Sequence, residues 1–304
     1  MFAAPPTLET KIFAELPADL RLPEQPSAWA QGQPNTGKIH SLLEGPGFTR
    51  DGQFYCVDVA HGRIFRVSAT GQFTIAAEYD GEPNGLRIHK DGRIFIADYK
   101  NGVMLFDPAT GTVTPLIERY RAERFRGVND LTFAANGDLY FTDQGMTGLH
   151  DSAGRVYRYD RNGHLSVLLD RIPSPNGLVL NQAQTELYVA VTRDNAIWRV
   201  PLLADGGVAK VGRFIQMSGG VGPDGLALDS AGNLFVAHVG LGCVWQFSPR
   251  GEPLLRIQSC AGHGTTNITF GGPQNRTLYI TEAQSGAILS AELAIAGEPL
   301  YAQR

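Results

Sequence analysis

Six polar residues stand at the same place in a repeated segment: Glu44, Asn84, Asn129, Asn176, Asp224 and Thr266, separated by 40, 45, 47, 48 and 42 residues. Two carboxylates, three amides and a hydroxyl are hard oxygen donors with no imidazole or thiolate among them. That donor chemistry suits Ca²⁺ better than Mg²⁺ where the geometry is loose and backbone-supported. Gathered at one point and taken out of water, two acids are costly unless a cation neutralises them. The other reading is a ring of hydrogen-bonded turns, since Asn and Asp suit the tight entry into a strand. A structural ring would be served by one uniform residue, and these six are unequal.

The elements that must position them follow from the repeat. PNGLRIHKDGRIFIAD from Pro83, VNDLTFAANGDLYFTD from Val128 and PDGLALDSAGNLFVAH from Pro223 share an Asn or Asp, a Leu two residues on and a Gly eight residues on. An alternating apolar run follows in each. Copies from Leu43, Pro175 and Thr265 fit more loosely, with extra turn residues in the last two. A third short run (GRIFRVS, NGVMLFD, GRVYRYD, NAIWRVP, GCVWQFS, GAILSAE) follows in every copy, and a fourth, opening on Gly, follows in five. Short runs bounded by Gly, Asn and Asp are the mark of all-β architecture. Four strands per unit at this period predict a six-bladed β-propeller forming one domain over residues 1–304, with the six head residues around the central channel. The sixth copy lacks a clear fourth run, so Lys11 to Leu16 is predicted to complete it and close the ring, with Glu298 to Ala302 as the competing segment. Residues 17–43, rich in Pro, Gln and Gly, form a long insert that could cover one face of the ring.

Composition agrees. The chain has 304 residues with 36 Gly and 18 Pro, 43% apolar and 18% charged residues. So much glycine beside an ordinary apolar fraction means many turns between short elements, and it argues against helical bundles, coiled coils and disorder. The net charge of −4 comes without a polybasic run, so nucleic acid and anionic membranes are poor partners. No apolar stretch long enough to span a bilayer and no signal-peptide pattern is visible, and the expectation is a cytoplasmic protein. Cys56, Cys243 and Cys260 form no CxxC pair, fit a reducing compartment and read as small buried apolar side chains.

In order along the blades, LLEGPGF at Leu42 to Phe48, GVNDL at Gly127 to Leu131, SPNGL at Ser174 to Leu178 and GPDGL at Gly222 to Leu226 resemble the gluconolactonase family, also called the regucalcin-like or senescence-marker-protein family. The resemblance covers nearly the whole chain from Leu42 to Leu289. It implies one catalytic divalent ion, commonly Ca²⁺ with Mg²⁺, Mn²⁺ or Zn²⁺ as substitutes. Carried over by motif, its ligands would be Glu44, Asn129, Asn176 and Asp224; Asn84 matches the motif without an implied ligand role and reads as a turn residue. The implied reaction is hydrolysis of a small lactone to its hydroxy acid, with Asp224 as general base or nucleophile. Relatives that hydrolyse phosphotriesters carry a His after the Thr-Glu pair of the last blade, where this chain has Thr281, Glu282 and Ala283. The positions of their second, structural calcium correspond to Ala227 and Thr269. Lactone hydrolysis therefore ranks above phosphotriester hydrolysis.

Among the histidines, His40, His238 and His263 could reach the channel mouth as substrate-binding groups, while His61, His89, His150 and His164 read as turn or surface residues. Asp143, at a position that is Asp in other copies too, reads at least as well as a structural turn residue. Specificity is expected from residues 17–43 and 144–153. The rival to an enzyme is a non-catalytic propeller that binds calcium or a protein on its ring face, because fold alone does not fix function.

Overall fold

The computed structural model describes residues 3–34 and 37–304, and the chain forms six four-stranded antiparallel blades. The insert 17–43 is therefore seen except for residues 35 and 36, which lie outside the described residues. The innermost strands are Leu43–Phe48, Pro83–Ile88, Val128–Phe133, Pro175–Leu180, Gly222–Leu228 and Thr265–Gly271. Each packs against the innermost strands of its neighbours around the channel.

Side-chain alternation explains why the middle strands are apolar on both faces. In the second strand of blade 1, Phe54 and Cys56 join the core shared with blade 6, whereas Tyr55 and Val57 join the core shared with blade 2. Successive residues of a strand point to opposite sides, so one strand serves two interfaces. The same division gives six apolar clusters, one for each pair of adjacent blades. Cys56 and Cys243 are buried in this packing, and burial raises both thiols; Cys260 is exposed, unlike the expectation for it.

The ring closes as the sequence predicts: Lys11–Glu15 pairs antiparallel with Ala287–Glu292 as the outer strand of blade 6. The preceding residues add something the repeat did not announce. Thr7–Glu9 pairs in parallel with Pro253–Gln258, a fifth strand on blade 5. The competing segment, Glu298 to Ala302, instead crosses the far end of the channel. There Tyr301 stacks on Phe133 at 5.0 Å between ring centres and meets His89 at 5.1 Å, and Lys90 Nζ lies 4.5 Å from the Tyr301 ring centre. The Glu298 amide donates to the Leu228 carbonyl at 2.9 Å.

All six blades break register at or just after the head residue, between Glu44 and Gly47, Pro83 and Leu86, Val128 and Leu131, Pro175 and Leu178, Pro223 and Leu226, and Thr265 and Ile268. Such bulges leave residues outside the ladder and re-aim their side chains. In this ring the repeated bulge turns the heads into the channel.

Candidate metal and active site

All six head residues line one cavity of about 860 Å³ at one end of the channel. All are buried. Beneath them lies a second layer formed by the residues that follow the heads. That position is Gly45, Gly85, Gly177 and Gly225 in four blades but Asp130 and Asn267 in the other two. The glycines make room for these two side chains: a Cβ on Gly85 would overlap Asp130 Oδ1, and one on Gly225 would overlap Asn267 Oδ1. Asn267 Nδ2 then donates to Glu44 Oε2 at 2.9 Å and to Asp130 Oδ2 at 3.3 Å, joining the two acids through one amide. Arg87 Nη2 stands 3.8 Å from Asp130 Oδ2.

Electrostatics make this floor unusual. Burial, then the charge of Asp130, pushes Glu44 up to about 8, against hydrogen bonds from the Gly45 amide and Asn267. Burial, followed by Glu44 and Asp130, raises Asp224 well above the usual carboxylate range, with Asn176 working the other way. Asp130 is raised by burial while Arg87 opposes the shift. Three acids thus share a buried floor, with the Arg87 guanidinium beside Asp130.

The amides are aimed by residues at the ends of the second strands. Thr192 Oγ1 gives its only proton to the Pro223 carbonyl at 2.8 Å, so it can only accept from Asn176 Nδ2, at 3.2 Å. That fixes the amide orientation and leaves Asn176 Oδ1 for the other side. Asn129 Nδ2 donates to Gln144 Oε1 at 3.1 Å, and Asn129 Oδ1 is buried with no partner. A buried acceptor without a donor calls for a ligand. Thr266 differs: its hydroxyl is engaged by the Leu43 carbonyl at 2.9 Å and by Thr281 Oγ1 at 2.9 Å. Among the described residues no three His, Cys, Asp or Glu side chains are grouped to hold an ion, so a cation here needs the amide oxygens as well. Glu44, Asn129, Asn176 and Asp224 together offer the hard, oxygen-only set that fits one.

His40, His238 and His263 do not line the cavity. Both ring nitrogens of His238 are used, Nε2 with the Gly219 carbonyl at 3.0 Å and Nδ1 with Trp245 Nε1 at 3.3 Å, and burial lowers its pKa. His40 is held by Ser41 Oγ at 2.8 Å and the Gln284 carbonyl at 3.3 Å. The His263 amide donates to Gln284 Oε1 at 2.9 Å. His150 lines the cavity instead, on the wall segment 144–150. Asp143 accepts from the Arg126 and Gly127 amides, each at 2.8 Å, which is a strand-crossing role. Trp29, Gln33 and Pro34 of the insert complete the wall, with Trp29 on the short helix Ala28–Gly32.

Fold and site define a β-propeller that gathers hard oxygen donors at one end of its channel. More particularly, the chain belongs to the SMP-30/gluconolactonase family: residues 42–284 match the region described as SMP-30/Gluconolactonase/LRE-like. It is 32% identical over 222 residues to a gluconolactonase of Zymomonas mobilis, covering 66% of this chain and 61% of that protein. It is 33% identical over 227 residues to the lactonase drp35 of Staphylococcus epidermidis, covering 71% of this chain and 69% of that one. In fold it resembles the calcium-binding protein regucalcin of Agrobacterium tumefaciens, with a TM-score of 0.77 at 24% identity over 98% of this chain and 99% of that chain. No helix among the described residues is long and apolar enough to cross a membrane.

Proposed function

We propose that this chain is a divalent-cation-dependent lactonase, with Ca²⁺ the best fit, that opens a small lactone to its hydroxy acid. The observation that carries the reading is the conjunction of buried Glu44 and Asp224, raised by burial and then by neighbouring carboxylates (Asp130 for Glu44; Glu44 and Asp130 for Asp224), with the partnerless Asn129 Oδ1 in one large cavity. Glu44, Asn129, Asn176 and Asp224 would hold the cation. Bound there, it supplies Lewis-acid polarisation of the lactone carbonyl. Asn267 holds Glu44 in place, while Thr192 and Gln144 keep the two amide oxygens turned inward. In one route Asp224 takes the proton of the attacking water and returns it to the ring oxygen as the ring C–O bond breaks; in the other Asp224 attacks the carbonyl, the ring C–O bond breaks with water protonating the ring oxygen, and the hydroxide so formed cleaves the acyl–Asp224 anhydride to free the product acid. Names of the sequence relatives, gluconolactonase and lactonase, support the reaction class. Ala283, at the position of the phosphotriesterase His, cannot carry a proton and leaves phosphotriesters as poor substrates.

The test is acid release from a lactone panel, with chelator and with added Ca²⁺, Mg²⁺, Mn²⁺ or Zn²⁺. Hydrolysis that chelator stops and one cation restores is expected; no hydrolysis under any metal would favour a binding propeller. Single turnover in ¹⁸O-labelled water separates the roles of Asp224: label in the released acid marks a base, and label in the protein carboxylate marks a nucleophile.

A further inference from the structure

Eight large apolar side chains are exposed among the described residues, and three of them, Met146, Leu149 and Val221, stand at this one cavity, at 51%, 72% and 43% exposure. The other five do not line it. A single exposed leucine carries no message, but apolar surface concentrated around a concave polar floor marks a binding site. Trp29 adds an indole whose Nε1–H is buried without a partner.

Three polar groups of the wall beside these apolar side chains are committed to one another, whereas Asn84, His150 and Arg193 also line the cavity. Thr147 Oγ1 donates to the Gln144 carbonyl at 2.6 Å and accepts from the Ser174 amide at 3.0 Å. The Thr192 hydroxyl and the Gln144 carboxamide oxygen are already used to aim Asn176 and Asn129. A polyhydroxy lactone needs a donor or acceptor for each hydroxyl it buries, and an unmet hydroxyl is penalised on binding. The cavity, at about 860 Å³, is also far larger than an unsubstituted lactone ring requires.

Resting on the lactonase reading, we propose that the substrate is a lactone bearing an apolar substituent, alkyl or aryl. Its carbonyl sits on the oxygen floor and its substituent lies against Met146, Leu149 and Val221. Trp29 covers it and can donate its indole N–H to an oxygen of the same molecule. Trp29 and residues 144–150 thus set specificity by apolar contact more than by reading hydroxyls.

The test compares kcat/KM of the full chain, loaded with the supporting cation, on δ-valerolactone, δ-decanolactone and D-glucono-δ-lactone. Each methylene that is buried should raise kcat/KM about fourfold, so the alkyl lactone should exceed the bare ring by at least about tenfold. The polyhydroxy lactone should be the poorest of the three. Leu149→Ser and Met146→Ser, at exposed positions, should each lower the alkyl-to-bare ratio several-fold. A ratio near one, or fastest turnover of the polyhydroxy lactone, overturns the substrate class and leaves the lactonase reading intact. A strong alkyl preference that both variants retain overturns the placement at these residues. No hydrolysis of any of the three under any cation overturns both readings.

Discussion

The two ends of the channel are built from the same six inner strands, yet they differ in what fills them. At the end where the strands begin, polar heads leave a cavity of about 860 Å³ with a partnerless acceptor and raised carboxylates. At the end where they finish, Phe48, Ile88, Phe133, Leu228 and Phe270 meet residues 298–304, and only about 60 Å³ remains. The far end is packed as a protein interior is packed. The near end keeps buried charge without full compensation. Stability and chemistry are thus separated along one axis, and perturbing each end should affect a different observable.

The largest effect is expected from the near end. Asp224→Asn or Glu44→Gln should reduce cation-dependent lactone hydrolysis by about 10³-fold or more, measured by acid release, while circular dichroism stays that of the parent. Unaltered turnover in either variant would abolish the functional contrast between the ends. Next, Thr192→Val removes the hydroxyl that aims Asn176, and calorimetric titration should show cation affinity weakened by about 10- to 100-fold. Equal affinity would mean that the amide is aimed without it.

A third prediction concerns pH. Glu44 titrates near 4.5 when unfolded and at about 8 in the metal-free fold. Below the first value both states hold the proton; between the two only the folded state does, so the stability linked to Glu44 is lost as pH rises toward 8. Melting of chelator-treated protein should therefore fall in temperature from pH 5 to pH 8, and Ca²⁺ should raise it more at pH 8. An equal rise at both values would remove Glu44 from the cation site. The smallest effect should come from the far end, where Tyr301→Ala should cost about 1–2 kcal/mol in chemical denaturation and leave kcat/KM within about twofold. A large loss of activity there would show that the two ends are coupled.

Repetition made the scaffold legible: head spacing gave the blades, and the missing fourth run of the last copy gave the closure by Lys11 to Leu16. The four candidate donors were singled out by a resemblance checked motif by motif, and the fold brings all four to one cavity. What escaped were contacts across the ring. Asn267 reaches Glu44 from 223 residues away, and no local pattern announces that meeting. A signal did exist, since Asp130 and Asn267 occupy a slot that is glycine in the other four blades. The histidines misled for a related reason: nearness to a head in sequence says nothing about side-chain direction, and His238 turns toward Trp245 and the Gly219 carbonyl. Thr192 and Gln144 had no distinguishing spacing, and their role appears only when amide protons are traced.

The N-terminal strands have a consequence for the order of assembly. Thr7–Glu9 and Lys11–Glu15 hold blades 5 and 6 at once, so these residues are partnered by strands made some 240 residues or more after them. Loop closure of that span comes late and is slow. Until Ala287–Glu292 emerges, Lys11–Glu15 has no partner, which places the hazard of mispairing between chains at this seam. Unzipping should begin there as well, making residues 7–15 the place where a crosslink to blade 6 would lengthen the lifetime of the folded ring most.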